Sequence, residues 1–359
     1  MDGMDTVEAV VLVGGKGTRL RPLTLSAPKP MLPTAGVPFL AHLLSRIRAA
    51  GVRRVVLGTS YLAETFSAHF GDGADLDLQL TYVVETEPLG TGGGIANVAE
   101  HLTAEHVLVF NGDVLAGTDL RAVVETHRKA EADVTLHLVR VPDPRAFGCV
   151  PTDETGRVMA FLEKTPNPPT DQINAGCYVF RRQVIDTIPR GRPVSVERET
   201  FPGLLASGAR IQAYVDSAYW RDMGTPFDLI RGSADLVRGI APSPALPGPT
   251  GEVLVLDGAE IAADAVVDGG STVGCGARIG PGATVTGSVL FDGAVVGAGA
   301  RVEAAIVGAG SVVGDGAAVL DCVLGDRVRV GAGCELRGGM RVWPDTVLPD
   351  GSVRFSSDA

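Results

Sequence analysis

The candidate chemistry of this chain is concentrated in a few short polar stretches. Gly14-Gly15-Lys16-Gly17-Thr18-Arg19 follows an apolar run. In such a turn, glycines let the backbone approach a polyphosphate and aim N–H groups at it, while Lys16 and Arg19 supply positive charge. The spacing is neither GxxxxGK(S/T) nor GxGxxG, so neither the P-loop nor the dinucleotide-binding turn is present, and a purely structural turn is the alternative. Lysine usage points to the same stretches. Of 31 basic residues only four are lysine (16, 29, 129, 164), and three of these stand in GGKGTRL, APKPML and FLEKT. That pattern suits sites that need a compact point charge rather than the planar fork of arginine. Two further polar stretches are EPLGTGGG (87–94) and NGD (111–113).

All these stretches must be carried by regular elements, and the apolar pattern predicts which. Ala9–Val13 reads as a buried strand, and Phe39–Ala50 carries apolar residues at helical spacing before Gly51. Then come a strand at 52–58, a helix at 61–70, a strand at 78–84, a helix at 92–102, a strand at 106–110 and a helix at 119–131. Strands alternating with helices predict βαβ units and a parallel sheet covered on both faces, which binds ligands beyond the carboxyl ends of its strands. GGKGTR, EPLGTGGG and NGD each follow one of those ends.

Composition bounds the rest. A chain of 359 residues, 45% apolar and 20% charged, is long enough for two domains and too apolar for general disorder. A net charge of −11 makes a general nucleic-acid surface or an anionic-membrane binder a poor fit, so phosphate needs a local site. The first residues form neither a signal peptide nor a membrane anchor, and the cytoplasm is the expected compartment. Five cysteines without a CxxC or nearby histidines argue against a disulfide framework or zinc, and read as buried reduced thiols. Residues 248–359 hold 23 of the 47 glycines, and IAPSPALPGPTG (240–251) has four prolines, which places a linker between two architectures.

The stretch GGKGTRLRPLTLSAPKPMLP (14–33) resembles the signature of the sugar-phosphate nucleotidyltransferases. The resemblance continues in order through EPLGTGGG, NGDVL (111–115), FGCVP (147–151), FLEKT (161–165), INAGCYVF (173–180) and YWRDMGTP (219–226). PKPMLPTAG, PLGTGGG and a glycine-rich tail are most similar to the mannose-1-phosphate guanylyltransferase branch. Gly93 is one departure, since alanine is common there. The resemblance implies a Rossmann-like α/β catalytic domain over 1–239, with a mostly parallel sheet. It also implies attack by a sugar 1-phosphate on the α-phosphorus of an NTP, with GTP and mannose 1-phosphate as substrates and pyrophosphate as leaving group.

Carried over by position, Arg19 and Lys29 would hold the β- and γ-phosphates, with Arg19 the leading catalytic residue. Leu12, Gly14, Gly15, Gly17, Thr18, Pro88, Gly90 and Thr91 would line the nucleotide. Asp113 and Asp222 match metal-binding aspartates and would hold Mg²⁺, which suits a pair of carboxylate oxygens. Their bland readings are a turn aspartate and a helix N-cap. Gly112, Asp113, Gly148, Glu163, Lys164 and Asn174 would hold the sugar phosphate. Glu163 and Lys164 point to opposite faces of any regular strand, so both can reach ligand only at an irregular strand end. Aligning Pro88-Leu89-Gly90 puts Glu85 at the base edge, where a carboxylate can accept from both N1–H and N2–H₂ of guanine. A solvent-exposed strand end is the alternative.

Residues 252–359 read as the second domain, and within them residues 255–348 carry an internal period. Aliphatic residues recur at 255, 261, 267, 273, 279 and 285, and Val/Ile-Gly-x-Gly appears at 273, 279, 296, 307, 313 and 330. Steps of five at 285–290, 302–307 and 319–324 make a 17-residue unit, so 273, 290, 307 and 324 are equivalent. This predicts a triangular coil with aliphatic residues stacked inside, and resembles the left-handed parallel β-helix of hexapeptide-repeat proteins. Some such coils are acyltransferases, but all six histidines lie before residue 138, so a scaffold for a homo-oligomer is the reading. Other bases or sugars (glucose 1-phosphate with UTP, dTTP or ATP) and a non-catalytic regulatory homologue stand as alternatives.

Overall fold

A computed structural model describes residues 3–354. The chain forms two compact units, which do not follow the chain in order. One is the N-terminal stretch through Gly15 with Leu43–Trp220; the other is Lys16–His42 with the chain from Arg221 onward.

The first unit is built on β1 (Val7–Leu12), β2 (Arg54–Thr59), β3 (Gln79–Val84) and β4 (His106–Asn111). The interleaved helices are α1 (Phe39–Ala49), α2 (Glu64–Phe70), α3 (Gly90–Asn97) and α4 (Leu120–Lys129). These are the predicted elements, with shifts of a few residues that have local causes. Leu62 takes φ 50°, which delays α2 until Glu64. Asp119 accepts hydrogen bonds from the N–H groups of Arg121 and Ala122 and so sets the start of α4. Gly51, at φ 101°, follows α1.

Strands β3-β2-β1-β4 are parallel neighbours, with Leu12 level with both Gly58 and Asn111. Their carboxyl ends therefore share one edge of the sheet. The remaining strands make the sheet mixed: β5 (Val134–Arg140), β6 (Gly148–Cys149), β7 (Leu162–Glu163), β8 (Gln172–Arg181) and β9 (Ile211–Asp216). β8 runs antiparallel to β4 on one side and to β5 on the other. Among the described residues no α-helix lies between β5 and β8, and a parallel pairing of those two strands would need a crossover. The register of β8 shifts between Asn174 and Tyr178, a bulge that accommodates Gly176 at φ 76°. The core joins Val10, Val107, Val109 and Leu136 of the sheet to Ile95, Tyr178, Phe180 and Phe201.

In the second unit, α5 (Pro226–Val237) is followed by a coil of short strands stacked in three parallel sheets, consistent with a left-handed β-helix. One sheet pairs Val255 with Val273, Val273 with Leu290, Leu290 with Val307, Val307 with Leu324 and Leu324 with Val342. The three central steps are the 17-residue unit read from the sequence, and the first and last are 18. From Val273 to Val342 the inward aliphatic residues are buried, each contributing roughly 1.5–3 kcal/mol. Val255 and Ile261 were expected inside as well, yet they are 47% and 36% exposed. The first turn is covered on one side only. Corner glycines let turns stack closely: a Cβ on Gly308 would lie 2.4 Å from the backbone carbon of Gly325. Among the described residues no helix is long and apolar enough to cross a membrane.

Candidate active site

In the first unit, the predicted residues gather beyond the common carboxyl edge of β1 to β4. Leu12 ends β1 half-buried, and Gly14 and Gly15 follow it against Ser60, just beyond β2. The Gly15 N–H donates to Ser60 Oγ at 3.1 Å, and a Cβ on Gly14 would meet the same oxygen at 3.1 Å. Gly112 lies against β1: its N–H donates to the Leu12 carbonyl at 2.9 Å, and a Cβ there would come within 2.6 Å of that oxygen. Asp113 occupies the turn between β4 and the short strand Val114–Ala116, so its turn reading and its ligand reading are both compatible with its position.

Glu85 sits just after β3, half-buried rather than free in solvent. The Leu89 N–H donates to its Oε2 at 3.4 Å, and its Oε1 faces Gly94, where a Cβ would come within 2.7 Å. Burial pushes its carboxyl above the ordinary glutamate value, against the lowering effect of the Leu89 hydrogen bond. The glycines of α3 serve packing. The N–H groups of Gly92 and Gly93 both donate to the Val194 carbonyl, and a Cβ on Gly90 would lie 2.7 Å from that oxygen. Gly93, the departure from the family pattern, faces the Arg192 carbonyl, 2.8 Å from where a Cβ would be. The Thr91 hydroxyl donates to Glu197 at 2.8 Å and accepts from the Val196 N–H at 2.9 Å. Those two bonds tie α3 to the 195–200 segment. Pro88, ahead of α3, is exposed.

The remaining sugar-side residues lie on the antiparallel strands or at their ends. Gly148 pairs with Glu163 across β6 and β7, and a Cβ on it would lie 3.0 Å from Glu163 Oε2. Strand β7 ends at Glu163, and Lys164 takes φ 51°, its N–H donating to the Phe147 carbonyl. The pair therefore stands at an irregular strand end, with Lys164 Nζ 3.8 Å from Glu163 Oε1; the lysine side chain is 62% exposed and the glutamate 21%. Asn174 begins the β8 bulge. Its Nδ2 donates to the Tyr178 hydroxyl at 2.7 Å, and its Oδ1 accepts from the Gly176 N–H at 3.1 Å.

The second unit holds Arg19 and Lys29. Gly17, at φ 56°, leads into a 3₁₀ turn, Thr18–Leu20, that exposes Thr18 and Arg19. A Cβ on Gly17 would press on Thr24 and on Lys29 Cβ at 3.0 and 3.1 Å. Lys29 is only 12% exposed, with its Nζ 4.0 Å from Asp222 Oδ1. The Arg19 guanidinium lies over Gly224, where a Cβ would meet both terminal nitrogens at 3.0 Å. Arg19, Lys29 and Asp222 are thus brought into one neighbourhood. Asp222 ends the strand Trp220–Asp222, and the N-cap of α5 is Thr225, whose Oγ accepts from the Asp228 N–H. The bland reading of Asp222 as that cap is therefore wrong.

Sequence reasoning missed Ser60, Asn111 and Glu197. Asn111 stood inside a quoted motif, yet only the fold shows that it is half-buried beside Gly176 and Tyr178 with its Oδ1 unpartnered. Ser60 and Glu197 carry no local signal at all. The thiol expectation needs one correction: all five cysteines are free, but Cys275 is exposed while the other four are buried. Burial pushes the Cys177 thiol up to about 12, which suits packing and not nucleophilic attack.

Two family models match this chain: Nucleotidyl transferase over residues 8–239 and GMPPB C-terminal domain over 249–354. The chain belongs to the nucleotidyl transferase family. It is a nucleotidyltransferase with the hexapeptide-type coil that the sequence predicts. A mannose-1-phosphate guanylyltransferase of Mycobacterium tuberculosis is 67% identical over 98% of both chains. Mannose-1-phosphate guanylyltransferase 1 of Arabidopsis thaliana is 36% identical over 78% of this chain and 76% of its own. Among solved structures, HddC from Yersinia pseudotuberculosis complexed with GMP-PN is 30% identical. It covers 64% of this chain and 99% of its own, with a TM-score of 0.56.

Proposed function

We propose that this chain transfers the guanylyl group of GTP to mannose 1-phosphate, giving GDP-mannose and pyrophosphate. The observation that carries the reading is the 67% identity, over 98% of both chains, to a mannose-1-phosphate guanylyltransferase. The site chemistry supports it. Two polyanions must be brought together, so charge neutralisation and alignment are the main catalytic demands. Arg19 and Lys29 hold the β- and γ-phosphates and stabilise the charge that builds on departing pyrophosphate. Leu12, Gly14, Gly15, Gly17 and Thr18 present backbone to the nucleotide, Pro88, Gly90 and Thr91 shape its loop, and the Glu85 carboxylate accepts from guanine. Gly112, Asp113, Gly148, Glu163, Lys164 and Asn174 receive the sugar phosphate, whose oxygen attacks the α-phosphorus in line.

The nucleotidyltransferase family typically uses a divalent cation, and Mg²⁺ held by Asp113 and Asp222 completes the proposal. The donor chemistry of these two residues suits it. Among the described residues no group of three or more His, Cys, Asp or Glu could hold an ion, so those residues offer no full cage. A pair of carboxylates suits Mg²⁺, which keeps several waters and takes its other ligands from substrate phosphates. When bound, the cation supplies neutralisation and orientation of phosphate oxygens. The setting is the cytoplasm, since five free thiols suit a reducing compartment. The proposal also includes a homo-oligomer through the coil, whose first turn exposes Val255, Ile261 and Val266.

The deciding experiment measures pyrophosphate release with Mg²⁺, crossing GTP, UTP, dTTP and ATP with mannose 1-phosphate and glucose 1-phosphate. Activity with GTP and mannose 1-phosphate supports the reading. Preference for another pair overturns the specificity, and sugar-nucleotide binding without release overturns catalysis.

A further inference from the structure

The loop that carries Arg19 has backbone groups that its own turn does not satisfy. Within the 3₁₀ turn, the Gly17 and Thr18 carbonyls accept from the N–H groups of Leu20 and Arg21, and Gly17 accepts also from the Thr24 hydroxyl. The carbonyls of Arg19 and Arg21 are taken up by the coil instead. Arg341, on the short strand Arg341–Val342, donates from one terminal nitrogen to both, at 2.7 and 2.8 Å. These are charge-assisted bonds to the open end of a helical turn, where a cation is favoured. At the far end of the loop, the Ser26 hydroxyl donates to Asp326 Oδ2 at 2.6 Å, and Asp326 Oδ1 is fixed in the coil by the Ala309 N–H at 3.0 Å.

We propose that Arg341 is a positioning residue for Arg19. By holding the Arg19 and Arg21 carbonyls it sets the peptide plane from which the Arg19 side chain departs, and so keeps that guanidinium over Gly224. Asp326 secures the other end of the same loop. The coil is then part of the catalytic apparatus, acting through the backbone and never touching substrate. The inference rests on the reading of Arg19 as a pyrophosphate-stabilising residue. A misplacement of a reacting partner by about 1 Å can cost about a hundredfold in rate, so loss of two bonds to this turn has room to matter.

The test uses the full-length chain and compares R341A, R341Q, R19K and the double variant R19K/R341A with wild type. R329A serves as control, since Arg329 is an exposed coil arginine without a hydrogen bond to the loop. Because the two carbonyl bonds act on orientation and not on sugar binding, kcat of R341A should fall about ten- to a hundredfold, with KM for mannose 1-phosphate within about twofold. Its thermal midpoint should match that of R329A. In the R19K background the same change should cost no more than about threefold further, because residues acting through one another are non-additive. A wild-type kcat in R341A, or the full loss repeated on top of R19K, overturns the inference. If R341A does not fold, R341Q is read by the same criteria. Wild-type activity in R19K would instead remove the role of Arg19 itself, which separates the two failures.

Discussion

Glu85 is the residue on which base choice turns in this reading. Its carboxylate lies half-buried beside Leu89 N–H and Gly94, and only its ionised form can accept from two guanine donors. Glu85→Gln should lower the GTP-to-UTP preference by about ten- to a hundredfold, the range of a lost hydrogen bond to a charged group, measured as a ratio of kcat/KM. An unchanged ratio would sink the assignment. Burial holds this carboxyl above the ordinary glutamate value, so the preference should fall on acidification at a higher pH than an exposed glutamate would allow. The variant should lack that pH dependence. For stability the sign is opposite: a raised native pKa favours the fold at low pH and is lost as pH rises through it. Glu85→Gln should therefore not lower the melting temperature at pH 7.

At the scale of elements, packing sets distinct demands on histidines and glycines. His127 of α4 is buried, stacks edge-on against His106 of β4 with centroids 5.1 Å apart, and shares a hydrogen bond with Thr135 of β5 at 2.9 Å. Burial, with His106 and nearby arginines, lowers its pKa to about 3. The unfolded chain takes up that proton near pH 6.5, so the stabilisation is whole above this value and is lost as pH falls toward 3. Unfolding titrations should show a decline of up to about 3 kcal/mol by pH 4, and His127→Gln should flatten it. In the coil, Gly308→Ala would drive a Cβ into the Gly325 backbone and should cost more than about 2 kcal/mol, whereas Gly316 has open space and only its φ of 62° to resist alanine, about 1 kcal/mol. Calorimetry of the two variants distinguishes steric from conformational cost; equal losses would contradict it.

For the whole molecule, the compact units cut across the order of the chain. Segment 16–42, which holds most of the signature, belongs with residues from 221 onward, and its partners there include Arg341, Asp326 and Ser243, which shares a 2.6 Å hydrogen bond with His42. A chain ended after residue 239 keeps every proposed site residue yet loses these three partners. Its pyrophosphate release should fall about a hundredfold or more if the loop is held from the coil. Full activity would show that the segment holds its own shape.

Much of this was legible in the residues. Periodicity located β1 to β4 and the helices between them, because burial on both faces leaves continuous apolar runs in β1, β2 and β4, and the 17-residue period named the coil because every turn repeats one inward position. The motifs placed Arg19 and Lys29 in one stretch and Asp222 in another; they could not show that Arg19 lies over Gly224 or that Lys29 is 4.0 Å from Asp222. Nor could they show that Thr225, not Asp222, caps α5, that Thr91 gives its hydroxyl to Glu197, or that β8 runs against β4. Local pattern determined the elements and the chemistry of each loop, since both follow from side-chain types at fixed spacing. Which loop meets which depends on contacts between residues as much as 322 positions apart, as with Arg341 and Arg19, and those are set only when the chain is folded.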